Sequence, residues 1–183
     1  RDPLGLRQAF NGLIRIILDF EIDISLEELI DRSFREYSGK VDENLKSEVV
    51  DFIRDRIESY FQNEGIRYDI ANAVISEKWY NILVADKVSK AMMEFRKDED
   101  EFERLVTGQK RVSNILEDVD SGEIDTEKLI KKEEKELYEK ALEIEPEYNK
   151  CIEERKFMEA LHILRELRPF IDSLFDNVMI MIE

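Results

Sequence analysis

Hydrophobic positions recur at three- and four-residue spacing along nearly the whole chain, the period of helices that bury one side. Leu6, Leu13, Ile16, Ile17 and Phe20 predict a first helix, opened by Asp2-Pro3 as a cap with proline at the first helical position. Ser25 and Glu28 stand at capping-box spacing ahead of a second helix, Leu26 to about Tyr37, with Gly39 to stop it. Leu45, Val49, Phe52, Ile53, Ile57, Tyr60 and Phe61 form a long stripe that ends at Gly65. Asp69 is the expected cap of a short helix through Ile75, and a fifth helix covers roughly residues 80–96.

The second half keeps the same period. Asp98-Glu99-Asp100-Glu101 places negative charge where a helix N-terminus favours it. Phe102, Leu105, Val112, Leu116 and Val119 share one face of the helix that follows, which Asp120-Ser121-Gly122 breaks. A charged helix is expected from about Thr126 to Ile144, and Glu145-Pro146 starts another, near Tyr148 to Arg155. Phe157, Leu161, Leu164 and Leu167 mark the penultimate helix. Pro169 begins the last, whose Ile171, Leu174, Phe175, Val178 and Ile182 face a core. No alternating strand pattern and no long internal repeat is visible. The expected fold is all-α, a bundle of about nine or ten helices. Its division is placed near Gly65 or Trp79, giving an N-terminal helical layer, 1–78, and a C-terminal bundle, 79–183.

Composition narrows the function. The 183 residues suffice for one or two domains with a real core. A charged fraction of 39% with six glycines and three prolines favours long solvated helices. Cys151, the single cysteine, excludes an internal disulfide and suits a reducing compartment. No apolar stretch reaches the roughly 20 residues that span a bilayer, and no signal sequence stands at the start, so a soluble, cytoplasmic protein is expected. The opening Arg1-Asp2-Pro3 and the apolar closing run Val178–Glu183 lead us to expect a piece of a longer chain, cut inside its last helix. The net charge of −16 excludes broad, non-specific attraction to polyphosphate. Residues 1–97 carry 15 basic and 19 acidic side chains, and residues 98–183 carry 13 and 25. Local basic spots with a small, selective footprint remain open.

Catalytic chemistry has little to build on, and neither a catalytic nor a metal-binding residue is expected. His162, the lone histidine, has no second ligand at useful spacing, and nothing near Cys151 would lower its thiol pKa. Asp172 and Asp176 lie four apart without a third ligand; they are expected to face water or pair with Arg165 or Arg168. The acidic run over residues 117–127 lacks full calcium-loop spacing. Trp79 and Tyr80 either stack on a splayed base or, as is commoner, plug a helix junction.

Two runs remain. In Gln109-Lys110-Arg111-Val112-Ser113-Asn114-Ile115-Leu116, helical geometry sends Lys110, Arg111 and Asn114 away from the Val112/Leu116 stripe. Such a trio is either a solvated face or a set of phosphate and base contacts. In Leu167-Arg168-Pro169-Phe170-Ile171-Asp172-Ser173-Leu174-Phe175-Asp176-Asn177-Val178-Met179, a helix–turn–helix joint carries core residues. Both runs resemble the C-terminal region of the β subunit of bacterial two-subunit glycyl-tRNA synthetase. Its Lys-Arg-x-x-Asn-Ile-Leu pattern stands complete at Lys110, Arg111, Asn114, Ile115 and Leu116. Asp2-Pro3-Leu4-Gly5-Leu6-Arg7 is similar to the family's entry into this region, with Gln8 where a second arginine is common. The segment from Gly65 to Val74 resembles a Gly-x-Arg-x-Asp…Ala-Val run, in which Arg67 either contacts phosphate or pairs with Asp69.

The resemblance implies an all-helical anticodon-binding region that holds tRNA while the α subunit joins glycine to it with ATP and Mg²⁺. It implies RNA contacts at Lys110, Arg111 and Asn114, then Arg67, and no catalytic residue in this stretch. A helical interaction or scaffold module without RNA is the alternative, and a helical phosphohydrolase, for which a His-Asp pair is missing, is the third.

Overall fold

The computed structural model describes residue 2 and residues 4–37, 42, 44–116 and 124–178, except the side chains of 114–116. Among the described residues there are nine α-helices, one 3-10 turn and no strand, in agreement with the all-α expectation. The helices are α1 (Leu6–Asp19), α2 (Leu26–Glu36), α3 (Asn44–Asn63), α4 (Tyr68–Lys78), α5 (Ile82–Phe95), α6 (Glu99–Leu116), α7 (Lys132–Glu153), α8 (Phe157–Arg165) and α9 (Arg168–Asn177). No helix of the described residues is long and apolar enough to cross a membrane.

The chain forms two compact units, residues 1–93 and 94–183. Residues 79–93, which the sequence boundary at 78/79 groups with the second part, pack in the first unit. The reason is apolar burial: Trp79, Ile82, Leu83 and Ala85 join the core built from Ile14, Ile57, Phe61, Ile70 and Val74. In this unit α3 packs against both α1 and α4, so the long α3 stripe is its spine. Trp79 is the expected junction plug. It is 9% exposed at the joint of α4 and α5, beneath the Arg54 guanidinium 5.3 Å from its ring centre.

Local signals set most boundaries. Ser25 accepts a hydrogen bond from the Glu28 amide and starts α2. α3 ends in a Schellman arrangement, with Ile66 N–H donating to Phe61 and Gly65 N–H to Gln62; Gly65 sits at φ +89°, where a side chain would be strained. The start of α1 departs from the expectation. Its first residue is Leu6, and the Asp2 carboxylate reaches forward to accept from the Leu6 and Arg7 amides. Asp2 therefore satisfies two of the free N–H groups without occupying the position directly before the helix. Pro3 and Gly39 lie outside the described residues.

In the second unit, α7 packs on α8 and α9, and α6 packs on α9. Here proline misleads. The expected break at Pro146 is absent, and α7 runs unbroken from Lys132 to Glu153. Ile144, Tyr148 and Cys151, on one face, pack with Ala160, Ile163 and Leu167. That tertiary packing offsets the roughly 3 kcal/mol an interior proline costs. Lys140 fastens the arrangement by contacts of 3.0 Å to Glu143 and 2.7 Å to Glu166. Glu166 foremost, then Glu143, raises its ammonium pKa. The helix closes with Arg155 in the left-handed region at φ +58°, its Schellman bond running from Lys156 N–H to Cys151. Cys151 is buried and free of any disulfide, and exposed His162 packs its ring 5.5 Å from that of Phe95.

Candidate nucleic-acid interface

The Lys110–Leu116 run forms the C-terminal half of α6. That helix starts well: the Asp98 carboxylate accepts from the Glu101 amide, and Glu99, Asp100 and Glu101 fill the first turn. Lys110 and Arg111 both project from it, but not together. Successive helical residues are about 100° apart, and the structure turns that angle into two environments.

Lys110 is exposed and has no ion-pair partner among the described residues. Arg111 instead reaches across to α9. Its Nη1 lies 3.4 Å from Asp172 Oδ1, and its guanidinium stands 5.7 Å from the centre of the Phe175 ring. The expectation that Arg111 shares one free face with Lys110 is therefore corrected, because the neighbouring helix supplies it a carboxylate and an aromatic ring. It keeps 46% of its side-chain surface exposed, so its remaining N–H groups can reach a partner. The Asn114 backbone lies in α6; its side chain, like the acidic segment 117–123, falls outside the described residues.

Asp172 is shared. Its second oxygen lies 3.4 Å from Arg168 Nε, one turn earlier on α9. The expected pairing with Arg168 is present, whereas Arg165 turns to Glu101 at 4.0 Å. The Arg111 link was missed from sequence because it joins positions 61 apart. No local spacing could have signalled it.

Arg67 lies elsewhere, in the first unit, at the residue before α4. It makes a two-pronged contact with Asp69, at 2.8 and 2.6 Å. The Asp69 carboxyl is held below the usual carboxylate range by the Arg67 hydrogen bond first; desolvation opposes this, and the Ile70 amide adds to the lowering. A carboxyl depressed on folding adds stability above its unfolded pKa, about 3.9, and loses it as pH falls through the folded value. Asp69→Asn should therefore lower stability at pH 7 by less than about 1 kcal/mol, since the pair is half exposed. In urea titrations the gap between the two proteins should close as pH falls through the lowered folded pKa of Asp69. A gap that persists there would show that the pair contributes nothing through charge.

Among the described residues, no group of three or more His, Cys, Asp or Glu side chains is placed to hold a metal ion.

Comparison with known proteins places these helices. Residues 1–76 match the family described as glycyl-tRNA synthetase beta subunit, and residues 106–183 match the DALR anticodon binding domain. The whole chain aligns at 39% identity with the glycine–tRNA ligase beta subunit of Sulfurihydrogenibium sp.. This chain is a relative of the C-terminal region of glycine–tRNA ligase β subunits. The β subunit of Thermotoga petrophila is 36% identical over all of the chain, and that of Haemophilus influenzae is 35% identical over 98% of it. The chain spans about a quarter of the length of these β subunits. The matched anticodon-binding segment includes the second half of α6 and all of α7 to α9, and so contains Lys110, Arg111, Arg168 and Asp172.

Proposed function

We propose that this chain is the tRNA-holding C-terminal portion of a glycine–tRNA ligase β subunit, working in the cytoplasm. In this reading residues 94–183 grip the anticodon arm of the glycine-accepting tRNA. The ligation of glycine, with ATP and Mg²⁺, belongs to the α subunit. No residue of this chain is assigned to ATP or Mg²⁺ in this reading. Lys110 and Arg111 supply phosphate contacts, Asn114 an amide for an RNA edge, and Arg67 a second, weaker point of contact.

The observation that carries this reading is the match of residues 106–183 to an anticodon-binding domain, with Lys110 and Arg111 exposed on its first helix. Net charge supports a small footprint. With −16 overall, affinity must come from a few placed contacts and fall steeply with salt.

The test is binding of the folded chain to glycine-accepting tRNA between about 50 and 200 mM salt. The expected result is a linear fall of log K with log salt and preference over a tRNA with another anticodon. Absence of binding at the lowest salt would sink the reading and leave an interaction module in its place.

A further inference from the structure

In the second unit, α6 faces the end of α8 and the start of α9 across an open groove of about 410 Å³. Leu105, Val112, Leu164, Leu167 and Ile171 make its walls apolar. Every charged residue lining it is an arginine, Arg104 or Arg168. That is unusual in a chain with 44 acidic side chains. Each arginine is steadied by a carboxylate that does not line the groove: Glu101 lies 3.6 Å from Arg104, and Asp172 lies 3.4 Å from Arg168.

The floor contains a glycine that the helix does not want. Gly108 lies in the middle of α6, where glycine is the poorest helix former after proline. Nothing among the described residues requires it. A Cβ added there would meet no atom within 4 Å, although Gly108 itself is buried. The space above it is open groove. Beside it, Gln109 Nε2 donates to Ser113 Oγ at 2.6 Å, which leaves the Gln109 amide oxygen and the Ser113 hydroxyl proton to meet an incoming polar edge.

We infer that this groove takes one unstacked nucleotide of bound RNA. The inference rests on the tRNA reading above and names a base-holding site within it. Apolar walls suit the faces of a base, the Gln109–Ser113 pair suits its edge, and Arg104 and Arg168 suit the adjoining phosphates. Lys110 and Arg111, on the same helix, carry the backbone onward. Gly108 keeps the floor low enough for the base to enter.

Gly108→Leu tests this by filling the groove from a helix that leucine favours, so the unfolding temperature should hold or rise. Glycine-accepting tRNA should bind the leucine variant about tenfold or more weakly, as for loss of one base contact. Because a base contact releases no counterions, the slope of log K against log salt should stay that of the unsubstituted chain. Gly108→Ala, whose methyl takes up only part of that space, should bind between the leucine variant and the unsubstituted chain. Unchanged affinity in Gly108→Leu overturns the groove and leaves the tRNA reading standing. So does a loss that comes with a shallower salt slope, since phosphate contacts would then have been disturbed. A concentration-dependent dimer abolished by Gly108→Leu overturns it in favour of a second copy as occupant. Failure of the unsubstituted chain to bind tRNA overturns both.

Discussion

Phe61→Ala should destabilise the first unit by about 3–5 kcal/mol, the cost of emptying an aromatic site in a closed core. Phe61 is 1% exposed on α3, the helix that packs on both α1 and α4. Ile57, one turn earlier, is fully buried, and Ile14 and Ile70 reach the same core from α1 and α4. Removing the ring leaves a cavity that several helices would have to move together to close. The better helix propensity of alanine recovers only a few tenths of a kcal/mol. The measurement is built in. Trp79 is the only tryptophan and is buried in the same core, so its fluorescence in a urea titration reports on residues 1–93. The expected outcome is a large fall in midpoint, with Phe61→Leu in between. A shift corresponding to less than about 1 kcal/mol would mean that the α3 stripe is not the spine of this unit.

Lys110→Ala combined with Arg111→Ala should weaken tRNA binding by roughly 25- to 60-fold at about 0.1 M salt. Each phosphate contact releases about 0.7–0.9 of a counterion, worth roughly five- to eightfold at that concentration. The slope of log K against log salt should fall by about 1.4–1.8 for the pair. The single variants separate the two roles. Lys110 is exposed and unpaired among the described residues, so Lys110→Ala should change binding and leave unfolding untouched. Arg111 also ties α6 to α9 through Asp172 and Phe175. Arg111→Ala should therefore cost a further ~0–1 kcal/mol of stability, the range for a half-exposed ion pair. A double variant that stays folded and keeps both affinity and slope would remove these residues from the interface.

The helices were legible in the sequence wherever a local signal sufficed. Ser25 announces α2, Gly65 terminates α3, and Pro169 opens α9, because caps, left-handed turns and proline act within a few residues of themselves. The apolar period alone identified the buried face of α3. It also separated Val112, which faces inward, from Lys110, which does not. Likeness to a known family came from short runs whose residues can be read in order, and the matched segments agree with it.

What the sequence could not decide depends on partners distant in the chain. Pro146 says stop, yet α7 continues through it, because packing against α8 and α9 outweighs a local penalty. Trp79 and α5 as far as Met93 join the first unit because the free energy of burial follows the available apolar surface and takes no account of a boundary drawn along the chain. Arg111 and Lys110 are adjacent letters with similar charge. Only tertiary structure gives one a carboxylate from α9 and leaves the other in water. The same holds for Gly108, which reads as a weak helix residue in sequence and becomes the floor of a groove once α8 and α9 are folded beside it. Sequence determines what each residue prefers locally; the fold decides which of them meet, because contact depends on distance in space.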